Sequence, residues 1–276
     1  MHGNTSEWVE NRPTGGRRAL DWRELWRYRE LVAFLAIRDV KVRYKQAAFG
    51  ILWAVVQPLA GLLVFTIVFG KLANVPSDGV PYPLFAFVGM MLWTLFSGGV
   101  DSATTSLVTN SSLVTKVYFP RVAAPLASVL PRLVDFGVSL CLFAVFLVVS
   151  GRLPGVQVIF LLLAALWAVV LAFAVGLSLA TVQVRFRDAH HGLNLLMQLW
   201  LYASPVAYPS SLVPPDWRWV YALNPVAGLL DTARWALLGT PAPGMDILAS
   251  LAVTAVLLAI GVRTFARGER QFADVI

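Results

Sequence analysis

Apolar residues in this chain come in long uninterrupted runs. No charge occurs between Gln46 and Gly70, and none over the 32 residues from Leu153 to Val184. A membrane barrel would instead show ~10-residue segments alternating in polarity. Inside hydrocarbon every backbone polar group needs an internal partner, so continuous runs predict helices. About 20 residues suffice to cross a bilayer core, and six spans are predicted, at 50–70, 84–100, 126–149, 156–184, 193–208 and 247–262. Gln57-Pro58 lies in the first half of span one, where a proline should kink the helix. The fourth span exceeds a bilayer's need, which predicts tilt or extension beyond it.

The segments between the runs carry their own patterns. Residues 1–20 are polar and glycine-containing, a disordered tail. Residues 21–46 form a cytoplasmic amphipathic segment, with Asp21 placed to cap a helix starting at Trp22. Trp22, Leu25, Trp26, Leu31, Phe34 and Leu35 interleave with Arg23, Arg27, Arg29 and Glu30, the composition of an interface helix. Positions 40–45 alternate apolar and cationic, which also suits a short extended piece, although helix is favoured. Residues 102–120 read as a polar helix or loop. Arg132 and Asp135 stand three apart on one helix face, in reach of each other. Between spans five and six, residues 212–240 hold two apolar pieces, Trp217–Leu223 and Val226–Leu238. Each is too short to cross, and each carries charge (Arg218; Asp231 and Arg234). Two short re-entrant helices, buried against protein or lining a cavity, fit that pattern. The expected architecture is therefore an all-α integral membrane protein, with a six-span domain over 47–266 and a cytoplasmic tail at 267–276.

Composition agrees: 58% of residues are hydrophobic and 13% charged, against about a quarter charged in soluble domains. Mean hydropathy is +0.71. The net charge of +7 would suggest nucleic acid in a soluble chain. Here it has another source. With both termini in the cytoplasm, 18 of the 22 Lys and Arg residues fall on cytoplasmic segments, as the positive-inside rule requires. A five-span topology would strand Arg263, Arg267 and Arg270 outside. No apolar signal-peptide core occurs in the first 30 residues. The lone Cys141 forms no intrachain disulfide and leaves the redox compartment undetermined.

Several chemistries find no support. No Gly-rich loop with Lys-Ser/Thr cradles ATP. His190-His191 are adjacent and diverge on a helix, which suits a solvated loop better than a metal pair. Ser210-Ser211 have no His/Asp arrangement. Asp101, Arg132 and Asp135 lie near span ends, where local pairing explains them better than a mid-membrane relay. Catalysis on this chain is not expected, and energy would come from a separate subunit.

Arg38-Asp-Val-Lys-Val-Arg-Tyr-Lys-Gln followed by Gly50-Ile-Leu-Trp-Ala-Val-Val-Gln-Pro58 resembles the start of span one in permeases of the ABC type 2 family. The closer likeness is to exporters of lipid-linked polysaccharide, such as O-antigen, or of teichoic acid. Leu113-Val-Thr-Lys-Val-Tyr-Phe-Pro-Arg121, Val184-Arg-Phe-Arg-Asp188, Tyr202-Ala-Ser-Pro-Val206, Leu223-Asn-Pro-Val226 and Phe272-Ala-Asp-Val-Ile276 agree in order. The resemblance implies a homodimer in a bacterial inner membrane, working with two copies of a cytoplasmic ATPase. ATP and magnesium then belong to the partner subunit, this chain holding no cofactor. It also implies that the short helices between spans five and six act as an extracytoplasmic gate. Asn110, Lys116, Tyr118, Arg121, Arg185, Arg187 and Asp188 become candidates for coupling to the ATPase.

A lipid-linked glycan offers a pyrophosphate, sugars and a polyprenyl tail. Arg38, Lys41, Arg43 and Lys45 at the cytoplasmic mouth are candidates for charge-assisted hydrogen bonds to the pyrophosphate, with topology anchoring as the other reading. Trp53, Phe65, Phe69, Phe85, Trp93, Phe96, Trp200 and Tyr202 are candidate glycan-path aromatics, with the lipid belt or packing as theirs. Competing functions are an ABC-2 exporter of small drugs or lipids, and a channel or scaffold without ATP coupling. Nucleic acid is not an expected partner; membrane lipids are.

Overall fold

A computed structural model describes residues 22–45, 50–116, 119–186 and 188–275. The expected tail at 1–20 lies outside them. Within the described residues the chain is helical, without strands. The amphipathic segment forms α1 (Trp22–Arg27) and α2 (Arg29–Lys45), so helix rather than an extended piece runs through 40–45. After it, α3 (Gly50–Phe65) continues through Pro58 and loosens into a π-turn over Thr66–Leu72.

The 28-residue α4 (Tyr82–Thr109) outlasts the predicted span by nine residues at its far end. Thr104, Thr105 and Ser106 return their hydroxyls to carbonyls three or four residues back. A polar stretch thereby satisfies itself on a helix. α5 is Ser111–Lys116. The third predicted span divides at Pro131 into α6 (Ala123–Val129) and α7 (Arg132–Val149). Leu130 and Pro131 keep right-handed helical angles, so direction is preserved although proline supplies no donor.

A short 3-10 turn, Val156–Ile159, leads into α8 (Phe160–Arg185), and α9 is Ala189–Ala203. α9 stops five residues before the predicted end of span five. Ser204 is extended, at φ −109° and ψ 152°, the conformation a following proline favours. The expected pair of short helices is present as α10 (Arg218–Tyr221) and α11 (Pro225–Leu238). α12 runs for 30 residues, Asp246–Val275, so the expected tail is helical as far as Val275.

Among the described residues, five helical stretches are long and apolar enough to cross a membrane: Val55–Leu72, Tyr82–Thr109, Ala123–Val149, Val156–Arg185 and Asp246–Glu269. The 15-residue α9 is only ~22 Å long at 1.5 Å per residue. The bundle is built around α4 and α8, which pack against each other along much of their length. Small residues permit this approach: a Cβ added at Gly176 would lie 2.4 Å from that of Ala103.

There are two cores. The larger fills the bundle with Phe85, Phe96, Leu92, Leu171 and Leu229, among others. The smaller joins Leu25, Val32 and Leu35 of the amphipathic segment to Phe119, Ala127, Leu177 and Phe265. It places α1, α2, α6 and the late turns of α8 and α12 at one end of the bundle, here called the basic end.

Candidate functional site

At the basic end, charged side chains from four helices meet. Arg43 of α2 donates to Oδ2 of Asp135 on α7, and the Tyr44 hydroxyl donates to Oδ1 of the same carboxylate. Arg132, one turn before Asp135, stands 3.7 Å from it and 3.7 Å from Asp101 of α4. Its Nε donates to the Ser102 hydroxyl at 2.9 Å. His190 of α9 comes within 3.7 Å of Asp101. The Arg132 guanidinium lies over Gly98, where an added Cβ would meet it at 3.1–3.3 Å. Burial, and then the hydrogen bond to Asp135, push the Tyr44 phenol up to about 12.

The head-group candidates divide on this geometry. Arg38 binds Asp39 at 2.7 Å and the Asn110 side chain at 2.6 Å. Arg43 is engaged by Asp135, Lys41 is exposed, and the side chain of Lys45 lies outside the described residues. The expected Arg132–Asp135 pair is present. Its extension to Arg43, Tyr44, Asp101 and His190 was not legible from spacing.

The described coupling candidates also sit at this end. Asn110 caps the end of α4, its amide donating to the Ser106 carbonyl at 2.8 Å while its oxygen accepts from Arg38. Arg121 donates to the carbonyl of Glu269 on α12. Lys116 is exposed, and Arg185 and Asp188 are exposed in the turn between α8 and α9. Tyr118 and Arg187 lie outside the described residues.

The distal end is organised by two residues, Asn224 and Arg234, that sequence reasoning named in passing but gave no site role. Asn224 accepts from Val226 N–H at 3.1 Å as the N-cap of α11, with Pro225 at the first helical position where its missing donor costs nothing. The same oxygen accepts from Trp200 Nε1 at 3.0 Å. Its amide donates to the Ala203 carbonyl and the Ser204 hydroxyl, at 3.1 and 3.0 Å. One side chain thus ties the end of α9 to the start of α11. The Asn-Pro pair in the sequence was the available signal.

Arg234, counted from sequence as an outside cation, is almost wholly buried at 2% exposure. Its Nη2 donates to the Val206 carbonyl at 3.0 Å, and its guanidinium lies 3.5 Å from the Phe85 ring centre. Nε and Nη1 have no hydrogen-bond partner among the described residues. Tyr82 donates to the next carbonyl, Ala207, at 2.8 Å. Val206 reaches α4 because Gly89 has no side chain; a Cβ there would lie 2.7 Å from its oxygen. Ser210 and Ser211 donate to Asp231 and Asp78 at 2.9 and 2.8 Å, giving this serine pair a structural job.

The aromatic candidates fall into three groups. Phe85 and Phe96 are fully buried and Trp93 nearly so. Trp93, Phe96 and Trp200 form an edge-to-face chain with centroids 5.5 and 5.2 Å apart. Phe65 and Phe69 are partly buried, their ring centres 5.3 Å apart and their planes tilted by 45°. Trp53 and Tyr202 are exposed, at 61% each. Trp200, Ala203, Trp217, Tyr221, Asn224 and Leu257 contribute to an apolar cavity of about 500 Å³.

Charge gathered at one end, a bundle of long apolar helices and a discontinuous opposite end define a multi-pass membrane protein. The chain belongs to the ABC-2 type transporter family, which matches over residues 30–238. It is 31% identical to the O-antigen export system permease protein RfbA of Myxococcus xanthus, over 92% of this chain and 98% of that one. An RfbA of the same description from Klebsiella pneumoniae is 26% identical, over 90% and 95%. The polysialic acid transport protein KpsM of Escherichia coli is 22% identical, over 86% and 93%.

Proposed function

We propose that this chain is the permease subunit of an ATP-driven exporter that moves a lipid-linked polysaccharide from the cytoplasm across the bacterial inner membrane. The observation that carries this is its near full-length similarity to proteins named for O-antigen export and for polysialic acid transport. ATP hydrolysis takes place on a separate nucleotide-binding subunit, since this sequence has no phosphate-cradling loop of its own. The basic end faces the cytoplasm with both termini, in keeping with the positive-inside count.

α9 is the sixth pass. Its first turn is beside Asp101, late in α4, and its far end leads to Val206 beside Gly89, early in α4. α10 and α11 are the re-entrant pair and form the extracytoplasmic gate, held by Asn224 and Arg234. Two copies assemble: α3 and α9 leave Leu52, Leu63, Leu195 and Leu199 exposed, apolar faces for a second copy or for lipid. Arg38, Lys41, Arg43 and Lys45 receive the pyrophosphate head. Trp53 and Tyr202 meet sugars, with Phe65, Phe69 and Trp200 partly presented and Phe85, Trp93 and Phe96 supporting that wall from behind. Asn110, Lys116, Tyr118, Arg121, Arg185, Arg187 and Asp188 transmit the ATPase stroke.

Deleting the gene and resolving surface polysaccharide on gels tests this. The expected result is loss of the long-chain ladder with lipid-linked glycan retained inside the cell. An unchanged ladder together with new sensitivity to small toxic compounds would instead select a drug exporter.

A further inference from the structure

We infer that Asp135 is an internal counter-anion that fills the head-group site in the resting protein, and that a lipid-linked phosphate must displace it. The inference rests on the exporter reading and on Arg43 meeting the cargo. Asp135 has the surroundings a phosphate seeks. One oxygen accepts from the Arg43 guanidinium, the other from the Tyr44 hydroxyl, and Arg132 stands 3.7 Å away. Carboxylates and phosphates are bound by the same charge-assisted donors, arginine above all.

The rest of the cluster is built to survive the exchange. Arg132 keeps its Ser102 hydrogen bond and the Asp101 carboxylate when Asp135 leaves, and it stays seated over Gly98. The Arg43–Asp135 pair is partly open to water, with side chains 34% and 25% exposed. Ion pairs that water reaches are weak, so a pyrophosphate carrying more charge than one carboxylate outcompetes it. Arg43 and Tyr44 lie at the end of α2, just before the chain passes to α3. Exchange therefore unfastens α2 from α7 as the cargo arrives, linking loading to movement of the segment that leads into the first span.

The test uses the permease with its ATPase partner in lipid nanodiscs, with polyprenyl pyrophosphate as the probe. The reading is the concentration giving half-maximal stimulation of ATP hydrolysis. Asp135→Asn should lower it about tenfold, the scale of one charge-assisted hydrogen bond. Asp135→Ser, which also removes the carboxylate and leaves every donor in place, should lower it to a similar extent. Arg43→Gln should raise it about tenfold. If Arg43→Gln leaves the value unchanged, the head-group assignment fails and the inference with it. If Arg43→Gln raises the value while Asp135→Asn and Asp135→Ser leave it unchanged or raise it, Asp135 is no competitor and only the inference is overturned. Should Asp135→Asn not assemble, Asp135→Ser decides alone. Failure of the probe to stimulate wild type would overturn the exporter reading itself.

Discussion

Arg234 gives the sharpest stability prediction, because its contacts and its burial act in opposite directions. It is 2% exposed and donates one hydrogen bond, to the Val206 carbonyl at 3.0 Å. A charge-assisted bond of this kind contributes ~1.5–3 kcal/mol. The guanidinium sits 3.5 Å from the Phe85 ring centre, worth ~2 kcal/mol when desolvated. Against this stand several kcal/mol for burying the ion, a cost that already includes the desolvation of Nε and Nη1, which have no hydrogen-bond partner among the described residues. These terms nearly cancel. Arg234→Met, which refills the volume, should therefore change stability by no more than ~1 kcal/mol, a midpoint shift of about 2–4 °C. Arg234→Ala leaves a cavity and should cost ~2–4 kcal/mol. Thermal midpoints of the detergent-purified protein, read by fluorescence-detected size exclusion, separate the two. Export should fall in both variants, because both release the Val206 carbonyl that fixes the turn after α9. A Met variant as unstable as the Ala variant would refute the cancellation and make the cation a net stabiliser.

Further outcomes follow from other contacts. Asn224→Asp keeps the cap of α11 but loses the amide donors to Ala203 and Ser204; it should cost ~1–3 kcal/mol, read as a lowered thermal midpoint. Gly98→Ala pushes a Cβ to 3.1 Å from the Arg132 guanidinium; ATP hydrolysis by the assembled complex should fall, whereas Gly137→Ala, which meets open space, should leave it unchanged. Gly176→Leu wedges α8 from α4 at a contact of 2.4 Å and should cost at least ~1–3 kcal/mol, seen as loss of monodisperse protein. The Tyr44 phenol, ordinarily near 10.0, is pushed up to about 12. Folding therefore favours its protonated form, and that contribution is complete below pH 10 and lost as pH rises toward 12. The stability difference between wild type and Tyr44→Phe should stay flat from pH 6 to 9 and shrink only above pH 10.

Much of the fold was legible because hydrocarbon is a demanding solvent. A run such as Val156–Val184 has no other way to satisfy its backbone than as a helix, and 30 residues of continuous helical structure were found there. The short helices α10 and α11 were legible from length and charge, and Asn224-Pro225 marks a helix start by chemistry local to the sequence. Boundaries were less legible where polar residues solved their problem within the helix, as Thr104, Thr105 and Ser106 do in extending α4 beyond Asp101.

The site was legible mainly where partners are neighbours in sequence. Arg132 and Asp135 are three apart, so helical geometry alone brings them together. Arg43 and Asp135 are 92 positions apart, and Arg38 and Asn110 are 72 apart; only the docking of α2 on α6, near the end of α4 and the start of α7, joins them. Tertiary structure likewise decided that Arg234, a charge on the second short helix, is a buried cation over the Phe85 ring. By itself the sequence determined a helical membrane protein with its cations gathered toward one side, because hydrophobic length and charge asymmetry act locally along the chain. Which cation meets which carboxylate, and which aromatic is covered, depend on how the helices pack, and neither spacing nor composition carries that.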